Sequence, residues 1–287
     1  MTVAQSTASY RRSRSSAVAA GRARPTAGVL RDGLALGGRS LRRLRRSPGK
    51  LIGITMNPVV TMITVGYLFA GALVLRGASP YPEYILAGAV VQVGLASLGP
   101  TAIGTSTDVQ SGIIDRLLTL PISRMGMLVG HTLSDLAAAV AGVVVVVLVG
   151  VGLGWRTHAD GASTALGFAL AVLFIYAMVW VGVAIGLLSK NLETIESVSS
   201  LVLVVFSFLS NAFVSVDGLP VWIQPFAAAN PVSTVITACR LLWGNPIGTA
   251  SAVPVPYAVP LGVASALMIL VLAVAASRAA LRRMVQR

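Results

Sequence analysis

The stretch that decides the fold is TDVQSGIIDRLLTLPISRMGMLVGHTLSD, residues 107–135. It is a polar segment between two apolar blocks, and its apolar residues recur at helical spacing: Ile113, Ile114, Leu117 and Leu118. Asp115 and Arg116 fall on the opposite face, and Pro121 ends the helix because the residue before a proline avoids helical geometry. We therefore predict a short helix lying flat between two membrane spans, where something outside the membrane could push on it. A plain interfacial loop helix is the alternative.

The charge distribution predicts an all-α integral membrane protein. Only 11% of the 287 residues are charged, against about 25% in soluble domains. Six windows of 20 to 37 residues contain no charged residue, and a membrane span needs about 20 mainly apolar residues. We therefore predict six transmembrane helices, near residues 51–75, 84–106, 136–155, 164–188, 197–216 and 257–277.

Residues 218–245, which carry no charge before Arg240, are not expected to span the membrane. It contains Pro220, Pro225 and Pro231, and each proline interrupts helical hydrogen bonding. An irregular backbone is tolerated at membrane depth only where protein buries it. We predict short broken helices here, re-entrant or lying at the outer surface.

The distribution of Lys and Arg predicts the orientation. Residues 1–50 carry 12 of the 22 basic residues, and the predicted loops and C-terminal tail on the same side bring the total there to 19. Basic residues concentrate on the cytoplasmic side, so we expect both termini in the cytoplasm and the chain in the cell (plasma) membrane. The net charge of +13 then reflects this bias and contact with anionic membrane lipids rather than nucleic acid, which we do not expect as a partner.

The N-terminal region has two predicted parts. Residues 1–25 are rich in Ser, Ala and Arg and are expected to form a disordered basic tail. Residues 26–47 alternate leucines with arginines, which predicts an amphipathic helix on the inner membrane surface. A simple basic tail that sets the orientation is the alternative.

Two regions are candidates for a translocation route. Pro100 is expected to kink the glycine-rich second span. On the fifth span, Phe206, Asn211 and Phe213 combine aromatic rings with one amide, which would suit an apolar or amphipathic substrate. Tight packing at the glycines, and lipid or core contact at the phenylalanines, are the alternatives.

Both histidines lie near predicted span ends. His131 and Asp135 are four residues apart on one helical face. They could form a proton relay, or they could be a structural pair or a partner for Arg124. His158 lies in a predicted outer turn, where we expect it to be exposed.

The sequence predicts no catalytic residue, no metal site and no cofactor held by this chain. The motif G-x-x-x-x-G-K-[ST] of nucleotide-binding loops is absent, because Gly49-Lys50 lacks both the upstream glycine and the hydroxyl residue. The lone Cys239 forms neither an intrachain disulfide nor a cysteine cluster. Any energy for transport must therefore come from another subunit.

Two segments resemble the type-2 ABC exporter permeases, most closely the drug-resistance branch typified by the daunorubicin/doxorubicin exporter membrane subunit. In residues 107–135 the matching positions are Asp108, Gly112, Ile113, Arg116, Leu120, Pro121, Ile122, Arg124, Gly130 and Asp135. In residues 208–246 they are Ser210, Phe213, Asp217, Pro220, Trp222, Asn230, Pro231, Arg240, Leu242 and Gly244. With the predicted span layout, the resemblance covers residues 26–287, which would form the ABC type-2 transmembrane domain.

The resemblance implies a transport subunit without its own nucleotide site. It would pair with a second permease copy or a paralogue and with a P-loop ABC ATPase subunit that carries ATP and Mg. Residues 111–121 would be the coupling helix and residues 26–47 the connecting helix. The ATPase-coupling residues would be Ile113, Ile114, Asp115, Arg116, Leu117, Leu118, Pro121 and Arg124.

The function that follows is export of an amphipathic small molecule, such as a drug or antibiotic, out of the cytoplasm. Export of a lipid or polysaccharide by the same superfamily is the alternative. An ion-coupled secondary transporter would need ionisable residues deep in the spans, which this sequence lacks. A membrane scaffold would leave the flat helix at residues 111–121 unexplained.

Overall fold

The computed structural model describes residues 48–68, 81–111, 124–213, 216, 220–247 and 254–285. Within these residues the protein has helices and no strand. The helices are α1 (Pro48–Leu68), α2 (Tyr81–Gln110), α3 (Arg124–Gly152), α4 (Gly161–Leu188), α5 (Leu192–Phe208), α6 (Gln224–Ala229), α7 (Pro231–Trp243) and α8 (Val255–Val285). The predicted tail 1–25 and connecting helix 26–47 lie outside the described residues.

Helix α2 is the centre of the bundle and packs against α1, α3, α4, α5 and α7. It is buried along most of its length because its residues are apolar or small on nearly every side. A helix that is apolar all round requires neighbours on all faces. The residues that each helix packs against on α2 therefore define the position and direction of that helix.

Residue contacts show that long helices that follow one another in the chain alternate in direction. Near its start α2 places Leu86 against Gly150, at the end of α3, so α2 and α3 are antiparallel. By contrast, Gly94 lies against Ile175 of α4, and Ala102 lies against Gly186 further along both helices, so α2 and α4 are parallel.

The remaining long helices extend this alternation. Helix α5 runs antiparallel to α2, because Ser199 lies beside Gly99 and Ala212, just beyond α5, lies beside Gly88. Helix α1 is parallel to α3, and α8 is parallel to α4. This is the order of directions that six successive crossings would produce.

The bundle therefore has two ends. The Asp135 end contains the first residues of α1, α3 and α5 and the last residues of α2, α4 and α8. The Arg240 end contains the first residues of α2, α4 and α8 together with α7. The residues predicted to be cytoplasmic cluster at the Asp135 end, including Lys50, Asp108 and Asp135.

Four helices among the described residues are long and apolar enough to cross a membrane: Tyr81–Gln110, Leu128–Gly152, Gly161–Leu188 and Val255–Arg283. They correspond to the predicted second, third, fourth and sixth spans. Helix α1 occupies the first predicted span, whose last seven residues, 69–75, lie outside the described residues. Helix α5 has 17 residues, fewer than the roughly 20 needed for a full crossing. Six spans and the orientation of the termini stay predictions.

Two helices have other bounds than the membrane spans predicted for them, whose own bounds stay predictions. Helix α3 begins at Arg124 rather than near 136, because Asp135 finds a basic partner inside the bundle and the helix continues through it. Helix α5 ends at Phe208 rather than near 216, because polar side chains from other helices bind the backbone that follows. The broken helices predicted within 218–245 are confirmed as α6 and α7, separated by Asn230.

Asp160 begins α4 as its N-cap and accepts hydrogen bonds from the backbone N–H groups of Ala162 and Ser163. The side chain and backbone of Ser163 hold the pKa of Asp160 below its usual range. The capping interaction is therefore present at neutral pH and is lost as the pH falls through that lowered pKa.

Close contact between α2 and α4 depends on glycine. A Cβ atom at Gly186 would lie 2.4 Å from the carbonyl oxygen of Ala102, and one at Gly182 would lie 2.7 Å from that of Leu98. Backbone atoms cannot move aside as flexible side chains can. Small residues at these positions let the two backbones approach.

We predict that Gly186→Ala lowers the stability of the purified protein by about 1–3 kcal/mol, the usual effect of overpacking a tight contact. Thermal unfolding in detergent measures this. Gly53→Ala is the matched control, because nothing lies within 4 Å of a Cβ there and alanine favours the helix. Equal unfolding midpoints for both variants would contradict the packing argument.

Candidate functional site

The predicted coupling residues Ile113, Ile114, Asp115, Arg116, Leu117, Leu118 and Pro121 lie outside the described residues. Arg124 is the first residue of α3. The structure does describe the two helices that enclose this segment, since α2 ends at Gln110 and α3 starts at Arg124. Both helix ends lie at the Asp135 end of the bundle.

The end of α2 is tied to the turn between α4 and α5. Ser106 donates its hydroxyl hydrogen bond to the carbonyl of Ser189 over 3.0 Å. Gln110 donates from Nε2 to the carbonyl of Lys190 over 2.8 Å. A displacement of the last turn of α2, where the predicted coupling segment begins, would therefore be transmitted to the first residues of α5.

A cluster of charged residues connects α1, α2 and α3 at the Asp135 end. Lys50 Nζ of α1 lies 2.5 Å from Asp135 Oδ1 of α3, whose side chain is almost fully buried. His131 Nε2 lies 3.6 Å from Asp135 Oδ2, and His131 Nδ1 lies 3.8 Å from Asp108 Oδ2. Both histidine distances are too long for hydrogen bonds. The geometry favours the structural interpretation of Asp135, with Lys50 as the partner that sequence reasoning missed.

At the opposite end, a second polar cluster surrounds the irregular backbone that follows α5. The guanidinium of Arg240 is fully buried and donates from Nη2 to the carbonyls of Asn211 (2.8 Å) and Ala212 (3.0 Å). Its Nε donates to the carbonyl of Tyr84 over 2.9 Å, and its Cζ lies 3.5 Å from the centroid of the Tyr84 ring. One side chain of α7 thus joins α2 to the end of α5.

Three more side chains donate to the same stretch of backbone. Tyr84 Oη donates to the carbonyl of Asn211 over 3.1 Å, and Tyr81 Oη donates to that of Phe213 over 2.8 Å. Asn230 Nδ2 donates to the carbonyl of Leu209 over 2.8 Å, while Asn230 Oδ1 accepts from the first turn of α7. We call Tyr81, Tyr84, Asn230 and Arg240 the α5 clamp.

The clamp stabilises both the buried guanidinium of Arg240 and the buried carbonyls that follow α5. The carbonyls of residues 209–213 follow the end of α5 and need donors from other elements when they are buried, and the negative end of the helix dipole favours a cation nearby. Among the described residues no carboxylate pairs with Arg240, so carbonyl oxygens and the Tyr84 ring balance its charge. A hydrogen bond to a charged group contributes about 1.5–3 kcal/mol, so removing the guanidinium would be costly.

Two polar atoms of this cluster are buried without a hydrogen-bond partner in the described structure. They are Arg240 Nη1 and Asn211 Oδ1. The Asn211 amide is fixed by its network, because its Nδ2 donates to Thr237 Oγ1, whose hydroxyl donates to the Ser233 carbonyl. A buried polar group without a partner costs about 1–3 kcal/mol, so the clamp is strong but incomplete.

The four predicted route residues lie on α2, on α5 and on the segment that follows α5. Asn211 and Phe213 follow the end of α5 and are buried, whereas the sequence predicted them on the same helix as Phe206. Phe206 is partly exposed on α5, and Pro100 is half-buried within α2. Whether these side chains contact substrate stays a prediction.

The Arg240 end is also closed by the turn between α3 and α4. His158 is exposed, as expected from the sequence, and its Nε2 also lies 2.8 Å from Glu83 Oε1 at the start of α2. The backbone N–H of His158 donates to the carbonyl of Trp243, and Trp155 Nε1 donates to Asn245 Oδ1 over 2.9 Å. These contacts hold the end of α7 against the bundle.

Comparison with known proteins gives a consistent result. A family model described as "ABC-2 type transporter" matches residues 33–242. The daunorubicin resistance ABC transporter permease protein DrrB1 of Streptomyces coeruleorubidus is 30% identical over 212 residues, which is 73% of this chain and 74% of the relative. The doxorubicin resistance ABC transporter permease protein DrrB of Mycobacterium tuberculosis (strain CDC 1551 / Oshkosh) is 27% identical over 194 residues, 67% of this chain and 66% of the relative. These matches confirm the resemblance drawn from the sequence.

We predict that Lys50→Met destabilises the protein by about 1–3 kcal/mol, because it leaves the buried Asp135 carboxylate without its cation. Thermal unfolding measures the loss, and the double variant Lys50→Met/Asp135→Leu should recover part of it. Lys190→Met is the control, since Lys190 is exposed and the described structure shows no ion pair for its ammonium. The structural interpretation of Asp135 fails if Lys50→Met and Lys190→Met unfold alike.

Proposed function

The chain belongs to the ABC-2 type transporter family, and from this premise we propose that it is the permease subunit of an ATP-driven exporter. The family match covers most of the chain, and the relatives are membrane permeases of ABC transporters. The chain is thus a multi-pass membrane protein and a transport subunit. The observation that carries the proposal is this match together with the helical bundle into which the matched residues fold.

The proposed complex has separate parts for energy and for passage. A P-loop ABC ATPase subunit would bind ATP and Mg, while this chain and a second copy or paralogue would form the route through the plasma membrane. Six spans with both termini in the cytoplasm place residues 111–121 on the ATPase side. The coupling face would be Ile113, Ile114, Leu117 and Leu118, with Asp115, Arg116 and Arg124 beside it.

The proposed substrate is an amphipathic small molecule such as a drug or antibiotic. The names of the relatives, which refer to daunorubicin and doxorubicin resistance, support this class. An amphipathic molecule combines apolar surface with hydrogen-bonding groups. The proposed route from the second and fifth spans likewise combines apolar side chains with a few amides and hydroxyls.

The described contacts support a path for the mechanical step. When the ATPase closes, force on residues 111–121 would reach the last turn of α2. The hydrogen bonds of Ser106 and Gln110 to the α4–α5 turn would then carry it to α5. Helix α5, which runs antiparallel beside α2 and packs chiefly against it, would then tilt relative to α2 and open the route at the other end.

We predict that Leu117→Asp abolishes association with the ATPase, because a charge on the apolar coupling face cannot be buried in the partner without a counter-charge. The permease is purified with its ATPase, and ATP hydrolysis is measured in lipid vesicles. We expect the wild type to co-purify and hydrolyse ATP, and Leu117→Asp to lose at least about tenfold of that activity while inserting normally.

Thr107→Asp is the matched control, because it adds the same charge at an exposed position on the last turn of α2. It should retain wild-type association. If no ATPase associates with the wild type, or if both variants behave like it, the proposed function is wrong and ion-coupled transport through His131 and Asp135 becomes the next hypothesis to test.

A further inference from the structure

Helix α5 is the long helix least integrated into the bundle. Among the described helices it packs chiefly against α2, where Ser199 lies beside Gly99. Much of its remaining surface is open: Leu201 is 63% exposed and Phe208 is 60% exposed. A helix with one packing partner can change its tilt without disrupting several interfaces at once.

The C-terminal end of α5 is held differently from the rest of the helix. The α5 clamp brings donors from α2, from α7 and from the residue between α6 and α7 onto the carbonyls of residues 209–213. Arg240 is the charged member of the clamp, and its guanidinium donates to Tyr84 of α2 and to Asn211 and Ala212 beyond α5. Because hydrogen bonds from a charged group are the stronger ones, we expect the guanidinium to contribute most to the position of this end.

The hydrogen bonds of the α5 clamp can break and re-form easily where water is present, but not in lipid. When water enters, the guanidinium and the freed carbonyls exchange protein hydrogen bonds for hydrogen bonds with water at small net cost. In hydrocarbon the same groups would have no alternative partner. The clamp is thus suited to an end that opens to an aqueous space.

The atoms of this cluster that lack hydrogen-bond partners also favour an end that opens to water. Arg240 Nη1 and Asn211 Oδ1 lack hydrogen bonds among the described residues while they are buried, and water would satisfy both once the end of α5 separates. The closed arrangement therefore gives up some of its advantage over the open one. A contact that opens and closes in every transport cycle requires closed and open arrangements of similar free energy.

We propose that Arg240 is a positioning residue of the transport cycle, which holds the end of α5 against the first turns of α2 until the route opens at this end. The proposal rests on the proposed function, since it treats α5 as a moving wall of the route. It assigns Arg240 a role in the equilibrium between closed and open states beyond its contribution to folding.

The test uses the rate at which a water-soluble maleimide labels a cysteine within the clamped segment. Ser210 is buried there, and cysteine is close to serine in size, so Ser210→Cys in a Cys239→Ser background supplies the reporter. The full-length permease is reconstituted in lipid nanodiscs, alone and with its ATPase. We expect slow labelling without ATP, and labelling about tenfold faster or more when Arg240→Gln is added.

The conservative variant separates positioning from bulk damage. Arg240→Lys keeps the charge but not the planar fork that reaches two carbonyls at once, so its labelling rate should fall between those of wild type and Arg240→Gln. Arg156→Gln is the matched control at the same end, because among the described residues the Arg156 guanidinium donates only to the nearby carbonyls of Val151 and Trp155. Its rate should equal that of the wild type.

A second reporter guards against simple unfolding. Native Cys239 is fully buried on α7, where its thiol lies against the carbonyl of Gly167 in α4. In the otherwise native chain carrying Arg240→Gln, Cys239 should stay slow to label. If Arg240→Gln makes Cys239 as reactive as the reporter thiol at position 210, Arg240 serves folding alone and the proposal is overturned.

The two hypotheses fail separately. If Arg240→Gln accelerates labelling at position 210 in the permease alone while ATP and the ATPase change nothing, the positioning role stands and the ATP-driven function fails. If ATP accelerates labelling in the wild type but Arg240→Gln leaves the rate without ATP unchanged, the function stands and the positioning role fails.

Discussion

Backbone carbonyls that leave a helix inside an apolar bundle must find donors there, because no water is available to them. The arrangement of the Arg240 end follows from this requirement. Helix α5 stops at Phe208, and the carbonyls beyond it accept from Tyr81, Tyr84, Asn230 and Arg240. Because these donors come from α2 and the α6–α7 region, meeting the requirement also fixes how those elements are placed around α5. The close approach of Ala212 to Gly88, where a Cβ would lie 2.4 Å from the Ala212 carbonyl oxygen, completes the contact.

Helix α2 connects this clamp to the opposite end. Its first turn carries Tyr81 and Tyr84, and its last turn carries Ser106 and Gln110, which bond the turn leading into α5. Helices α2 and α5 are thus joined by polar contacts at both ends and by small residues between them. In an ATP-driven permease, this is the pair of helices through which a push at one end would change access at the other.

The sequence was sufficient for features set by local rules. Charge-free windows predicted four helices that the structure shows to be long and apolar enough to cross a membrane, because burying a charge in lipid is costly whatever the tertiary structure. Prolines predicted the break between α6 and α7 for a similar local reason. The family resemblance rested on residues such as Gly112 and Pro121, whose own structure lies outside the described residues.

Long-range pairs could not be predicted in the same way. Arg240 was counted as a basic residue of the outer side, whereas its guanidinium is fully buried and reaches a carbonyl 156 positions away. Asp135 was paired with a neighbour four residues away, although its cation is Lys50, 85 positions distant. The end of α5 was misplaced for the same reason: hydrophobic Phe213 continues the apolar pattern, and only donors from other helices explain why the helix has already ended. A charged residue without a local partner, next to an apolar run, is the signal that could have identified Arg240.

In the proposed transport cycle, the end of α5 moves relative to the rest of the Arg240 end when the ATPase turns over. The most direct measurement is the distance between spin labels at Phe208, on the last turn of α5, and Tyr257, near the start of α8, both exposed. Labels would be attached to cysteines in a Cys239→Ser background, with the permease bound to its ATPase in nanodiscs. We expect the distance distribution to shift by about 5 Å or more, roughly one helical turn, between the nucleotide-free and the ATP-trapped complex. A distribution that is the same in both states, in a complex that hydrolyses ATP, would contradict the account.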